Sequence, residues 1–154
     1  MGKVDEIYMS EALKEAKMAL QEDEVPVGAV VVYQGRIIAR AHNQVETLKD
    51  PTAHAEMIAL TSATNHLGSK WLLGASLYVT IEPCSMCAGA LILSRIKNVI
   101  YGVKDPKAGA CGSVINIINN KKLNHRIKVD KGVLKEECSF LLREFFKRKR
   151  TKRT

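Results

Sequence analysis

Residues 77–101 read as strand, proline, helix, strand, and this run does most to limit the folds open to the chain. Residues 77–82 form a mostly apolar, buried-type strand, and Pro83 ends it because proline cannot donate to a sheet ladder. A helical segment follows over residues 84–94, and residues 98–101 return to strand character. Strands joined through a helix pair in parallel, because only a parallel pair needs a crossover. Parallel strands are buried on both faces, so the rest of the chain has to supply helices for two layers.

It has the elements to do so. Over residues 4–21, Met9, Ala12, Leu13, Ala16 and Leu20 fall at helical spacing, with Glu11, Lys14, Glu15 and Lys17 opposite them. Residues 27–33 are a nearly continuous apolar strand, Gln34-Gly35 is a turn, and residues 36–41 return as a hairpin. A loop over 43–50 leads to Asp50-Pro51, which reads as a helix cap followed by proline at the first helical position, with the helix running to residue 67 and stopping at Gly68. Residues 104–120 are mostly loop, 126–129 a short strand, and 134–149 a last helix. The reading is α/β: a three-layer α/β/α sandwich with a mixed central sheet of about five strands. At 154 residues, 46% hydrophobic and 26% charged, the chain is expected to form one domain over 1–154 with a basic arm at about 147–154. No apolar run of about 18 residues predicts a membrane span, and the polar, acidic first ten residues do not read as a signal peptide, so the expected location is cytoplasmic.

The net charge of +8 is concentrated at one end: residues 143–154 hold seven Lys/Arg against Glu144, which leaves +2 for everything before them. Such an arm fits a polyanionic partner, and it equally fits a solvated terminus.

Four cysteines in a chain without an export signal argue against a disulfide scaffold. Cys138 sits in an amphipathic stretch and is expected to pack as a small hydrophobe, and Cys111 is isolated. Cys84 and Cys87 form a C-x-x-C directly after Pro83, and His54-Ala55-Glu56 stands near the start of the other central helix. One imidazole and two thiols are ligands zinc prefers, and a helix start favours the thiolate form. Three ligands leave a fourth position for water, the mark of a catalytic site, and Glu56 is close enough in sequence to act on that water without ligating. Taken alone, the C-x-x-C also fits a redox pair or half of a structural zinc site, with His42, His66, His125 or Cys111 as the missing ligand.

The joint pattern H-A-E-x26-P-C-x2-C resembles the cytidine/deoxycytidylate deaminase superfamily, and within it the bacterial tRNA-specific adenosine deaminases. The resemblance also rests on Glu24-Val25-Pro26-Val27-Gly28-Ala29, His42-Asn43, Asp50-Pro51-Thr52-Ala53, Asp105-Pro106-Lys107-Ala108-Gly109, Asn124-His125-Arg126 and Phe145-Phe146, nearly the whole chain. It implies a cytidine deaminase-like fold, one zinc held by His54, Cys84 and Cys87, and Glu56 as the proton carrier in converting adenosine to inosine at the wobble position of tRNA. It further implies that Asn43 bonds the target nucleoside and that Pro26, Val27 and Ala55 line the base pocket. Asp105, Lys107, Asn124, His125, Arg126, Arg148 and Arg150 become candidates for the flanking bases and phosphates of an anticodon stem-loop. Glu82 is expected to order the site rather than react, and the family pattern is a homodimer. Two rivals stay open: a deaminase of free guanine or cytidine, and a nucleic-acid-binding module with a structural zinc.

Overall fold

The computed structural model describes residues 2–152, so Met1, Arg153 and Thr154, at the two ends of the expected domain and arm, lie outside the described residues. Helix α1 (Lys3–Gln21) leads into the hairpin β1 (Gly28–Tyr33) and β2 (Arg36–His42); a single helical turn α2 (Val45–Leu48) and helix α3 (Ala55–Leu67) follow. Then come β3 (Ser76–Ile81), α4 (Ser85–Leu93), β4 (Asn98–Val103), β5 (Lys128–Lys131) and the last helix α5 (Lys135–Lys152). The sheet has five strands in the order β2-β1-β3-β4-β5.

The β3–α4–β4 run is the parallel unit expected, with Ser76 opposite Asn98 and Ile81 opposite Val103. β5 extends it in parallel, whereas β1 pairs antiparallel with both β2 and β3, so the sheet is mixed. Side chains alternate across β1. Ala29 and Val31 join Ala59, Leu60, Ala63, Ala88 and Leu91 of α3 and α4 on one face; Val30 and Val32 meet Met9, Leu13 and Ala16 of α1, and Cys138 and Leu141 of α5, on the other. That is the sandwich, and Cys138 is the buried small hydrophobe expected. α1 lies very close to β1: a Cβ on Gly28 would meet the Ala12 carbonyl oxygen at 2.0 Å.

Three local readings need correction. Asp50 does not cap α3: its Oδ1 accepts the Thr52 N–H and hydroxyl, each at 2.8 Å, closing a turn, and the extended His54 (φ −73°, ψ 151°) is the residue before the helix. An Asp-Pro pair serves a turn as well as a cap. The loop over 43–50 contains α2, whose exposed N–H groups at Glu46 and Thr47 are accepted by the buried Glu24 carboxylate at 3.0 and 2.6 Å. The last helix runs on to Lys152, so the described part of the basic arm is helical.

Candidate active site

Two of the helices that cover one face of the sheet begin with a candidate ligand. His54 precedes α3 and Cys84 precedes α4, both with extended backbone, so their side chains project from helix starts, and Cys87 follows within the first turn of α4. The His54 Nδ1 lies 3.6 Å from Cys84 Sγ and 3.6 Å from Cys87 Sγ. Zinc–nitrogen and zinc–sulfur bonds at the tetrahedral angle put such atoms about 3.5 Å apart, so the donor set fits a zinc ion. Among the described residues, the only three-membered group able to hold a metal is His54, Cys84 and Cys87; His42, His66, His125 and Cys111 are not part of it.

The cluster is electrostatically prepared. The Cys87 thiol beside Cys84, helped by His54, holds the Cys84 sulfur down at about 3, while Cys87 is the one that keeps its proton. The Cys84 sulfur in turn raises His54. Glu56 is 3% exposed, and burial pushes its carboxyl up to about 7.

His54, Glu56 and Cys84 open onto a pocket of about 320 Å³ that Val27, Asn43, Ala55 and Asp105 also line. The Asn43 Oδ1 is buried without a hydrogen-bond partner, while its Nδ2 donates to the Val25 carbonyl at 3.4 Å. An unpaired buried acceptor costs about 1–3 kcal/mol, which a donor on a ligand would recover. Pro26 does not line the pocket. It is buried at the centre of a tight turn in which the Val27 N–H donates to the Val25 carbonyl at 2.8 Å, and Val25 takes its place on the wall.

The pocket shares Phe145 and Lys149 with a neighbouring groove that also carries Lys104, Lys107, Arg143, Lys147 and Arg150. Asp105, Lys107 and Arg150 are therefore gathered at or beside the site, whereas Arg148 is exposed and outside both linings. Asn124, His125 and Arg126 are not gathered there. They precede β5, and His125 Nε2 lies 2.7 Å from the Ile96 carbonyl, just before β4, at the end of the parallel strands opposite Cys84. Residues not assigned to the pocket from sequence also line it, among them Glu24, Val25, Phe145 and Lys149. For the last two, the signal was their spacing of four on a helix, where the Lys149 ammonium lies 5.4 Å from the Phe145 ring.

The sandwich and the H-x-E…P-C-x-x-C cluster define a deaminase, and the MafB19-like deaminase family matches residues 4–150. The tRNA-specific adenosine deaminase of Aquifex aeolicus is 54% identical over 150 residues, covering 97% of this chain and 97% of the relative. That of Bacillus subtilis is 51% identical over 149 residues, 97% of this chain and 92% of the relative. A solved structure from a study of A-to-I editing by tRNA:A34 deaminases superposes with a TM-score of 0.85 at 43% identity, covering 88% of this chain and 99% of that one. The chain belongs to the tRNA-specific adenosine deaminase family.

Proposed function

We propose that the protein is a zinc-dependent hydrolase that converts adenosine at the wobble position of tRNA to inosine and releases ammonia. The observation that carries the reading is Glu56: a buried carboxyl that lines the pocket within one helical turn of His54, one of a group of three side chains able to hold a metal. Held by His54, Cys84 and Cys87, zinc would acidify a water and neutralise charge that develops as the water adds to the base. Glu56 accepts the proton of that water and passes it to N1 of adenine, which makes C6 electrophilic. Once the water oxygen has bonded to C6, the carboxyl carries the remaining proton of that hydroxyl to the exocyclic amine, the C6–N bond breaks and ammonia leaves. Its burial supports both roles, since a carboxyl near neutrality accepts and returns protons with little cost. Asn43 supplies the free acceptor that orients the nucleoside.

The pocket is at the small end for ligand sites, so one nucleotide enters while its neighbours stay outside. The adjoining basic groove, with the exposed Phe146 in it, suits flanking phosphates and an unstacked base, which favours RNA over a free base. Asn124, His125 and Arg126 line neither the pocket nor the groove beside it. That supports a homodimer in which a second copy brings them to the anticodon stem-loop. A tRNA substrate also implies work in the cytoplasm; among the described residues no helix is long and apolar enough to cross a membrane.

The test is sequencing of total tRNA for inosine at position 34 before and after the protein is added. Inosine there supports the reading; ammonia released from free guanine or cytidine with no change in tRNA sinks it.

The arm offers a second check. Truncation after Phe146 removes Lys149 from the pocket wall and the Lys152–Asp23 ion pair, whose nitrogen and oxygen are 3.0 Å apart, along with the other cations of the last turns. Affinity for tRNA is expected to fall, and its salt dependence to flatten by about 0.7 in log–log slope for each phosphate that the shortened chain no longer engages. The rate at saturating tRNA should change far less. Unchanged affinity and slope in a titration across salt concentrations would make the arm a solvated terminus.

A further inference from the structure

Glu82 is 1% exposed, lies between the end of β3 and Pro83-Cys84, and lines the pocket. One carboxylate oxygen accepts the Asp105 N–H at 3.0 Å and the Ser113 hydroxyl; the other accepts the N–H groups of Cys111 at 2.9 Å and Ser113 at 3.1 Å. A carboxylate offers about four lone-pair positions, and here all are occupied by donors from a single loop. Glu82 therefore has no acceptor left for a water or a base. Its backbone adds to the same junction, with the Glu82 N–H donating to the Val103 carbonyl at 2.9 Å and the Pro83 carbonyl accepting from Ala110 at 2.9 Å. Gly109 closes against the carboxylate so tightly that a Cβ there would meet its atoms at 2.4–2.5 Å.

The loop so fixed carries Asp105, which lines the pocket, and Lys107, which lines the basic groove. The Asp105 Oδ1 accepts the N–H groups of Lys107 at 3.0 Å and Ala108 at 3.2 Å, so the turn behind Lys107 moves with Asp105. Two residues after Glu82 the chain supplies a sulfur to the metal cluster. We propose that Glu82 is a positioning residue for substrate binding: its carboxylate sets the Asp105 and Lys107 segment at a fixed place relative to His54, Cys84 and Cys87, and so determines how tightly tRNA is held over the pocket.

The proposal rests on the tRNA reading, and the experiment separates the two. Single-turnover inosine formation on tRNA is followed at increasing enzyme concentration for the wild type, Glu82→Gln and Ser113→Ala. In Glu82→Gln an amide donor faces donors, so the loop shifts; Ser113→Ala removes only the hydroxyl's hydrogen bond. The half-saturating concentration should rise at least about tenfold in the first and about threefold in the second, with the rate at saturation within about threefold and zinc per chain unchanged. With enzyme counted as folded, zinc-loaded chains, a role confined to stability would lower the yield of such chains and leave half-saturation where it was. A double-mutant cycle with Lys107→Ala should be non-additive, because Lys107 has less to lose once its loop has moved. Unchanged half-saturation, a loss confined to the saturating rate, or full additivity would each overturn the proposal, and Ser113→Ala decides alone should Glu82→Gln not fold. A wild type that forms no inosine overturns the tRNA reading as well.

Discussion

Glu56→Gln is expected to keep its fold and its metal and to lose at least about a hundredfold in turnover. Glutamine nearly matches glutamate in shape, so the closed space around a side chain that is 3% exposed stays filled. What disappears is the ability to accept a proton and give it back, and the reaction asks for both. The wild-type carboxyl is suited to that exchange because burial raises it to about 7. The same burial is a cost to the folded state, since a charge is held away from water. The variant removes that cost, so its melting temperature should equal or exceed that of the wild type, the usual trade between activity and stability at a buried functional group. Zinc content, thermal melting and single-turnover inosine formation on one preparation check all three statements. Near-normal activity with metal bound would take Glu56 out of the mechanism; lost metal would mean that it supports the ligands instead.

Elements set by local pattern were the legible ones. Helix α1, the hairpin and the β3–α4–β4 run follow from periodicity and from Pro83, and their observed bounds fall within a few residues of the expected ones. The clustering of His54, Cys84 and Cys87 was legible for a related reason, because a short motif at a helix start fixes where its side chains point. Features that depend on distant partners were hidden. α2 is one turn long and has little stability of its own; the carboxylate that holds it is Glu24, more than twenty residues earlier. The place of Asn124, His125 and Arg126 depends on how β5 joins the sheet. Parallel pairing at the edge, beyond β4, puts the start of β5 away from the ligands, and nothing in those three residues announces it. Pro26 and Val25 illustrate a finer limit: adjacent residues in an apolar stretch face opposite ways, and only the turn between Val25 and Val27 decides which one meets the pocket.

Removal of zinc should abolish inosine formation without unfolding the protein. The ligands sit on helices whose positions are set elsewhere: Ala55, Ala59, Leu60 and Ala63 of α3, and Ala88 and Leu91 of α4, are packed into the main core. Domains that lack such a core unfold when a structural zinc is lost, because metal binding is their folding energy. Here the metal would add to a fold that already stands. Its contribution should be about 4 kcal/mol at a thousandfold excess of free zinc over its dissociation constant, or roughly 10 °C in melting temperature. Chelation is therefore expected to lower the melting point by that order, leave the far-ultraviolet circular dichroism unchanged, and bring activity to background, with recovery on adding one equivalent of zinc. Cys87→Ser, which replaces a fully buried sulfur with a poor zinc ligand, should reproduce the metal-free state permanently. X-ray absorption on the loaded protein should find two sulfurs, one histidine nitrogen and one further light atom. A fourth protein ligand, or unfolding on chelation, would identify the zinc as structural and return the chain to the binding-module reading. Activity that survives in zinc-free protein would leave Glu56 to act on water without a metal.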